Sequence, residues 1–241
     1  KETQVIKVGK EALGAFYSHV LGRIKEYVEL LEEDGSEIEQ YLPPEPVFHF
    51  YLDYILKENI TCKVVINYGD KEFDPYKQEQ SADYVRDYTK ELEAMLCVRT
   101  YLPYYDEQLL ANHCDGDEDK IYLFLQSGLD ELMALGEVKI SDDFKHLHIK
   151  PSPKVSVGVS LESDLLNLQL SAENLDFAEL ADVLQSYRLR KKYHRLKNGD
   201  FLRMEENSLE TLTELVDGLH ISVKELTKGK MHIPKIGREH V

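Results

Sequence analysis

Two pairs of alternating runs constrain this chain more than anything else in it. Phe48, Phe50 and Leu52 alternate with His49, Tyr51 and Asp53, and Ile60, Cys62, Val64 and Ile66 alternate with Thr61, Lys63 and Asn67. A period of two places one set of side chains on a single face of a strand, and the short Leu56 to Asn59 region between the runs fits an antiparallel hairpin. The pattern returns downstream. Val155, Val157, Val159 and Leu161 alternate with Lys154, Ser156, Gly158 and Ser160, Glu162-Ser163-Asp164 turns, and Leu166, Leu168 and Leu170 alternate back with Asn167 and Gln169. This second hairpin is expected to bury Val155, Val157, Val159, Leu166, Leu168 and Leu170 on one side, under helices starting near Asp176 and Asn207.

Helical periodicity fills much of the rest. Ala12, Phe16, Val20 and Ile24 recur every four residues from Gly9 to about Ile24, followed by a strand-like portion from Tyr27 to Leu31. Tyr68-Gly69-Asp70 and the polar segment to Ala82 read as a loop. Tyr88 to Arg99 reads as a helix with Leu92, Met95 and Leu96 inward, and Asp119 to Leu135 as another with Gly128 a weak point in its middle. Asp176 with Glu179 has the spacing of a capping box for a helix carrying Phe177, Leu180 and Leu184. Asn207 with Glu210 repeats it before Leu209, Leu212, Leu215 and Leu219, with Gly218 as a stop. Lys197-Asn198-Gly199-Asp200 predicts a type I′ turn pairing Tyr193–Leu196 with Phe201–Met204, so that Lys197 lies opposite Asp200, Arg195 opposite Leu202 and His194 opposite Arg203.

Strands and helices thus come in blocks rather than in strict βαβ alternation. The expected class is α+β, antiparallel hairpins packed with amphipathic helices in two subdomains. Pro151-Ser152-Pro153 cannot continue a helix and sets the expected boundary: an acidic α+β part over 1–150, then hairpin, helix, hairpin, helix over 151–241.

With 241 residues, 42% hydrophobic, thirteen Gly and eight Pro, the chain has enough apolar content for a sizeable core, which excludes disorder, collagen and coiled coil. No stretch approaches the roughly 18 apolar residues a membrane span needs. The odd, widely spaced Cys62, Cys97 and Cys114 fit a reducing, cytoplasmic compartment. The chain opens on Lys1 rather than Met, as a piece of a longer protein would.

Charge divides the chain unevenly. Residues 1–150 hold sixteen Lys and Arg against thirty-one Asp and Glu, and residues 151–241 hold thirteen against fourteen. So large an acidic excess in the first part repels a phosphate backbone and argues against a protein that coats nucleic acid. The nearly neutral second part conceals one concentrated basic stretch, Arg188, Arg190, Lys191, Lys192, Arg195 and Lys197. Such a run either blunts an edge strand against aggregation or contacts DNA phosphate or an acidic partner surface, with Tyr187 and Tyr193 as neighbouring aromatics.

No Gly-x-x-x-x-Gly-Lys-Ser/Thr or Gly-x-Gly-x-x-Gly occurs, so the usual phosphate-cradling loops are missing, as are Gly-x-Ser-x-Gly and His-Glu-x-x-His. His113-Cys114 with Asp115, Asp117 and Asp119 has metal-ligand chemistry, but Lys120 and Gln126 stand where an EF-hand loop needs its glycine and distal glutamate, and a solvated loop is the expectation. Asp130 with Glu137-Val138-Lys139 has the carboxylate and Glu-x-Lys pattern of metal-dependent nucleases, a short pattern that chance supplies often. No residue is expected to be catalytic and none to hold a metal.

The second half resembles a known family. Pro153-Lys154-Val155-Ser156-Val157-Gly158-Val159, the Leu166 to Leu170 strand, Asn174-Leu175-Asp176, Ala181-Asp182-Val183-Leu184 and the run Tyr187 to Phe201 resemble the bacterial Swi/Snf-type helicase-associated domain. Ile60-Thr61-Cys62-Lys63-Val64, Tyr68-Gly69-Asp70 and Arg86-Asp87 look like the preceding portion of that region. The resemblance implies a non-catalytic region lying ahead of a superfamily-two ATPase motor, with that motor as its partner in the same chain, and Met231-His232-Ile233-Pro234-Lys235-Ile236 at the end of 151–241 fits a connector leading toward it. ATP and magnesium are then implied for the parent motor only, with no cofactor in this fragment. The resemblance leaves the role of the associated region itself open; the leading expectation is an accessory domain that positions or regulates the motor mostly through protein contacts, with DNA at the basic hairpin as a candidate contact. The alternatives are a metal-dependent nuclease built on Asp130, Glu137 and Lys139, and a stand-alone protein-binding module.

Overall fold

A computed structural model describes residues 7–9, 12–16, 20, 27, 44–56, 58–77, 86–162, 165–173, 175–204, 206–218, 221 and 230–234. The chain is α+β and divides into two compact units, Lys1–Lys145 and His146–Val241. Ile149–Lys150, which precedes the expected boundary at Pro151, belongs to the second unit because it pairs with a strand there.

The first unit is built on the expected hairpin. β1 (Val47–Ile55) pairs antiparallel with β2 (Asn59–Tyr68), with Phe50 opposite Val64 and Leu52 opposite Cys62. β1 buries alternate residues, while β2 also buries Thr61 and Val65 on its other face. β3 (Lys71–Phe73) folds back to pair antiparallel with the end of β2, and β4 (Tyr104–Asp106), β5 (Ala111–His113) and β6 (Glu137–Ile140) complete the order β4-β5-β2-β1-β6. β6 lies parallel to β1, with His49 beside Glu137 and Tyr51 beside Lys139.

Within the helix expected over Gly9–Ile24 the structure describes one α-helical turn, α1 (Leu13–Phe16), and most of the remaining stretch and of the strand-like Tyr27–Leu31 falls outside the described residues. α2 (Tyr88–Tyr101) begins as expected but turns a different face inward. Glu91, Ala94 and Val98 are buried, whereas Leu92 and Leu96 are 55% and 56% exposed. Electrostatics set the rotation. Glu91 is gripped by Arg86 and accepts from the Tyr68 hydroxyl at 2.6 Å, so the face carrying this carboxylate must point at the sheet.

The helix read over Asp119–Leu135 is one rod with a widened turn: α3 (Glu118–Leu123), a π turn over Phe124–Gly128, and α4 (Leu129–Leu135). The expected weak point is a packing site. A Cβ on Gly128 would lie 2.7 Å from the Phe124 ring and 2.9 Å from that of Tyr101. α5 (Asp142–Lys145) follows β6, and its Phe144 meets Phe124 edge to face.

The second unit carries the predicted order. β7 (Ile149–Lys150) leads into the hairpin β8 (Val155–Glu162) and β9 (Leu165–Ala172), then α6 (Phe177–Arg188), the hairpin β10 (Tyr193–Arg195) and β11 (Phe201–Arg203), and α7 (Glu206–Gly218). β12 (Lys230–Pro234), within a segment that reads as a connector, pairs antiparallel with β9. Leu170, Leu180, Val183, Leu184, Leu196, Leu202, Leu209, Leu212 and Val216 form the core, with Val155 and Val157 packed against it.

Val159 departs from expectation at 62% exposure, because it lies toward the hairpin tip, past the valines that meet this core. The side chains of Leu166 and Leu168 lie outside the described set. α7 starts at Glu206, which places Asn207 inside the helix rather than at its cap.

Candidate partner-contact site

The basic stretch is shaped by how α6 ends. Asp176 caps its start by accepting from the Ala178 N–H at 3.0 Å. Glu179 does not close a capping box; its carboxylate accepts from the Lys197 backbone N–H at 2.6 Å, tying the tip of the β10–β11 hairpin to the helix. At the other end Arg190 donates its N–H to the Tyr187 carbonyl at 2.8 Å and Lys191 donates to that of Ser186 at 3.1 Å. These two bonds make a Schellman cap, whose left-handed residue is usually glycine. Here it is Arg190, at φ +55°.

The six basic candidates separate into distinct environments. Arg188 pairs with Asp217 of α7. Arg190, Lys191 and Lys192 follow one another on the cap, exposed, with no ion pair among the described residues. Arg195 is half-buried, its guanidinium 5.0 Å from the centre of the Phe201 ring. Lys197 is exposed at the opposite end of the hairpin. The structure therefore groups Arg190, Lys191 and Lys192, and sets Lys197 apart. Tyr187 packs against the core and Tyr193 meets Phe201 edge to face at 5.1 Å.

The register of this hairpin corrects the sequence expectation. Tyr193 lies opposite Arg203, His194 opposite Leu202 and Arg195 opposite Phe201. The turn is not type I′: Asn198 is absent from the positive-φ residues, Gly199 has φ +96°, and Gly199 N–H donates to Leu196 O at 2.9 Å. A three-residue loop of this kind, a type I turn closed by a glycine bulge, shifts the pairing by one position. Arg203 thereby joins the face that carries Tyr193 and Arg195, a neighbour the two-residue turn conceals.

The loop is anchored by Asp200, 5% exposed, which accepts from the His148 N–H at 3.0 Å and pairs with Lys150 Nζ at 2.9 Å. Burial alone would raise its carboxyl pKa, but the bonds from Lys150, His148 and Asn198 outweigh it and hold the group below its ordinary value. Ser186 Oγ contacts His194 Nδ1 at 2.9 Å, fixing β10 to α6. The cations thus sit on a rigid frame.

The metal and nuclease patterns take other roles. Asp117 caps α3, accepting from the N–H groups of Asp119 and Lys120, and bonds to Lys120 Nζ keep its carboxyl pKa low. His113 Nδ1 accepts from the Asp115 N–H at 3.1 Å. Glu137 is held by Lys139 at 3.3 Å and His49 at 2.8 Å, while Asp130 lies in the first turn of α4. Among the described residues no group of three or more His, Cys, Asp or Glu is placed to hold a metal, and no helix is long and apolar enough to cross a membrane.

Among curated proteins none matches the chain. The family described as bacterial SNF2 helicase associated matches residues 1–237, and the protein belongs to that family.

Proposed function

We propose that the protein is a non-catalytic accessory region of a bacterial SNF2-type helicase, which positions or regulates the ATPase motor through protein contacts and makes a weak DNA contact through the cap that ends α6. ATP and magnesium belong to the motor. The observation that carries the DNA contact is the run Arg190, Lys191 and Lys192, three exposed cations on a turn held by two backbone bonds. A rigid turn loses little entropy on binding, and cations of this kind act on phosphate by charge.

The test is binding of the chain to short duplex and single-stranded DNA across a salt series. Three phosphate contacts imply an affinity loss of about 40-fold between 50 and 200 mM salt. Changing Arg190, Lys192 and Arg195 together to glutamate should abolish binding. No binding at low salt, or binding indifferent to the triple change, overturns the DNA contact and leaves the motor as the partner of the turn.

A further inference from the structure

We infer that the first unit holds a binding groove for a small molecule carrying an aromatic ring and one anionic group, of the nucleoside monophosphate kind. The groove encloses about 420 Å³ on the sheet face opposite Phe50 and Leu52, within the range of single-ligand sites.

Its floor is a row of three side chains on adjacent strands. Lys63 of β2 lies opposite Tyr51 of β1, which lies beside Lys139 of β6, so a lysine on each neighbouring strand flanks the tyrosine. Tyr51 is 40% exposed, a large aromatic surface left open inside a concavity. Lys139 is already positioned, its Nζ 3.3 Å from Glu137 and 5.3 Å from the centre of the Tyr51 ring. Lys63 makes no ion pair among the described residues. A ring stacked on Tyr51 would place its anionic group within reach of Lys63.

One row further along the same face, Asp53 accepts from Ser141 Oγ at 2.5 Å and from the Tyr54 N–H at 2.8 Å, both through Oδ1. Its second oxygen is an acceptor for an amino group on the ring, as adenine carries. The separation of cations from carboxylate along the groove suits a ligand with an anion at one end and a donor at the other. The acidic excess of residues 1–150 and the apolar rims at Leu109 and Ile140 disfavour a long polyanion lying across it.

The experiment is calorimetric titration of the full chain with adenosine 5′-monophosphate, adenosine, inorganic phosphate and a short oligo-dA. The monophosphate should saturate below about 1 mM, with adenosine and phosphate each at least about tenfold weaker. Tyr51→Ala and Lys63→Glu should each weaken it at least about tenfold, with the thermal unfolding midpoint unchanged since both side chains are exposed. The charge reversal at Arg190, Lys192 and Arg195 should leave it unchanged, so this site and the DNA contact fail separately. No saturation by the monophosphate at about 10 mM, or native affinity in Tyr51→Ala, overturns the proposal. So does Tyr51-dependent binding of oligo-dA more than about tenfold tighter than the monophosphate, which would mark a strand-binding face.

Discussion

The guanidinium of Arg86 grips the carboxylate of Glu91 at two points inside the first unit, Nε to Oε1 at 2.8 Å and Nη2 to Oε2 at 2.6 Å. Both residues are almost fully buried, at 4% and 6% exposure. The Tyr68 hydroxyl donates to the same Oε1 and accepts from the Asp87 N–H at 2.8 Å, while the Arg86 charge lies 4.8 Å from the centre of the Phe73 ring. Breaking such a pair on one side leaves an uncompensated buried charge. Glu91→Ala is expected to cost about 3–5 kcal/mol, and the double change Arg86→Met with Glu91→Leu to recover most of that. Urea unfolding of the two variants decides; equal losses would mean that the pair itself stabilises the unit.

Arg190 offers a change with two opposite readouts. A left-handed arginine costs about 1 kcal/mol that glycine avoids. Arg190→Gly should therefore raise the stability of the second unit by about 0.5–1 kcal/mol, while lowering the salt slope of DNA binding by about 0.9. Thermal unfolding beside a salt titration measures both, and a destabilised variant would contradict the conformational argument.

The two tight glycines of the first unit rank in a defined order. A Cβ on Gly136 would fall 2.4 Å from the Phe48 carbonyl oxygen, against backbone that cannot swing away, whereas Gly128 faces two rings that can shift. Gly136→Ala should cost more than the roughly 1–3 kcal/mol typical of overpacking, and Gly128→Ala should fall within that range. Gly218→Ala, with nothing within 4 Å, serves as the control in the same denaturation series.

Asp200 gives the second unit an acid limit. Its folded pKa lies below the unfolded value, so its stabilising contribution is complete above the unfolded pKa of about 3.9 and is lost as pH falls through the folded value. The unfolding temperature of the second unit should drop below about pH 4, and Asp200→Asn should flatten that dependence in the same window. At neutral pH the variant loses the Lys150 pairing and about 2 kcal/mol. An unchanged pH profile from pH 2 to 5 would assign the acid sensitivity to other carboxylates.

Period-two alternation made both long hairpins legible, because a slip of one residue would turn an entire buried set to water. The order of elements in the second unit was readable for the same reason. What the sequence concealed were features decided by partners distant along the chain. The face of α2 turned on Glu91, a residue that looks solvent-facing until Arg86 and Tyr68 are brought beside it. The register of the Asn-Gly hairpin follows a three-residue loop with Gly199 as its bulge, which the same Asn-Gly pair permits beside the two-residue turn, and Asp200 anchors that loop to the distant His148 and Lys150. Of the basic stretch, composition showed the charge but not its division, since the pairing of Arg188 with Asp217 spans two helices. The row of Lys63, Tyr51 and Lys139 had no sequence signal, because it assembles from three strands, the last of them 76 positions after the second.

The parallel pairing of β1 with β6 also fixes an order of events in folding. His49 meets Glu137 across 88 positions, whereas β1 and β2 are joined by a few residues. The hairpin can close as soon as it leaves the ribosome, but one edge of β1 stays without this strand until residue 140 has been made. Closure over so long a loop is slow. Until β6 arrives, the free edge of the long, aromatic-rich β1 is the side of the first unit open to pairing with another chain.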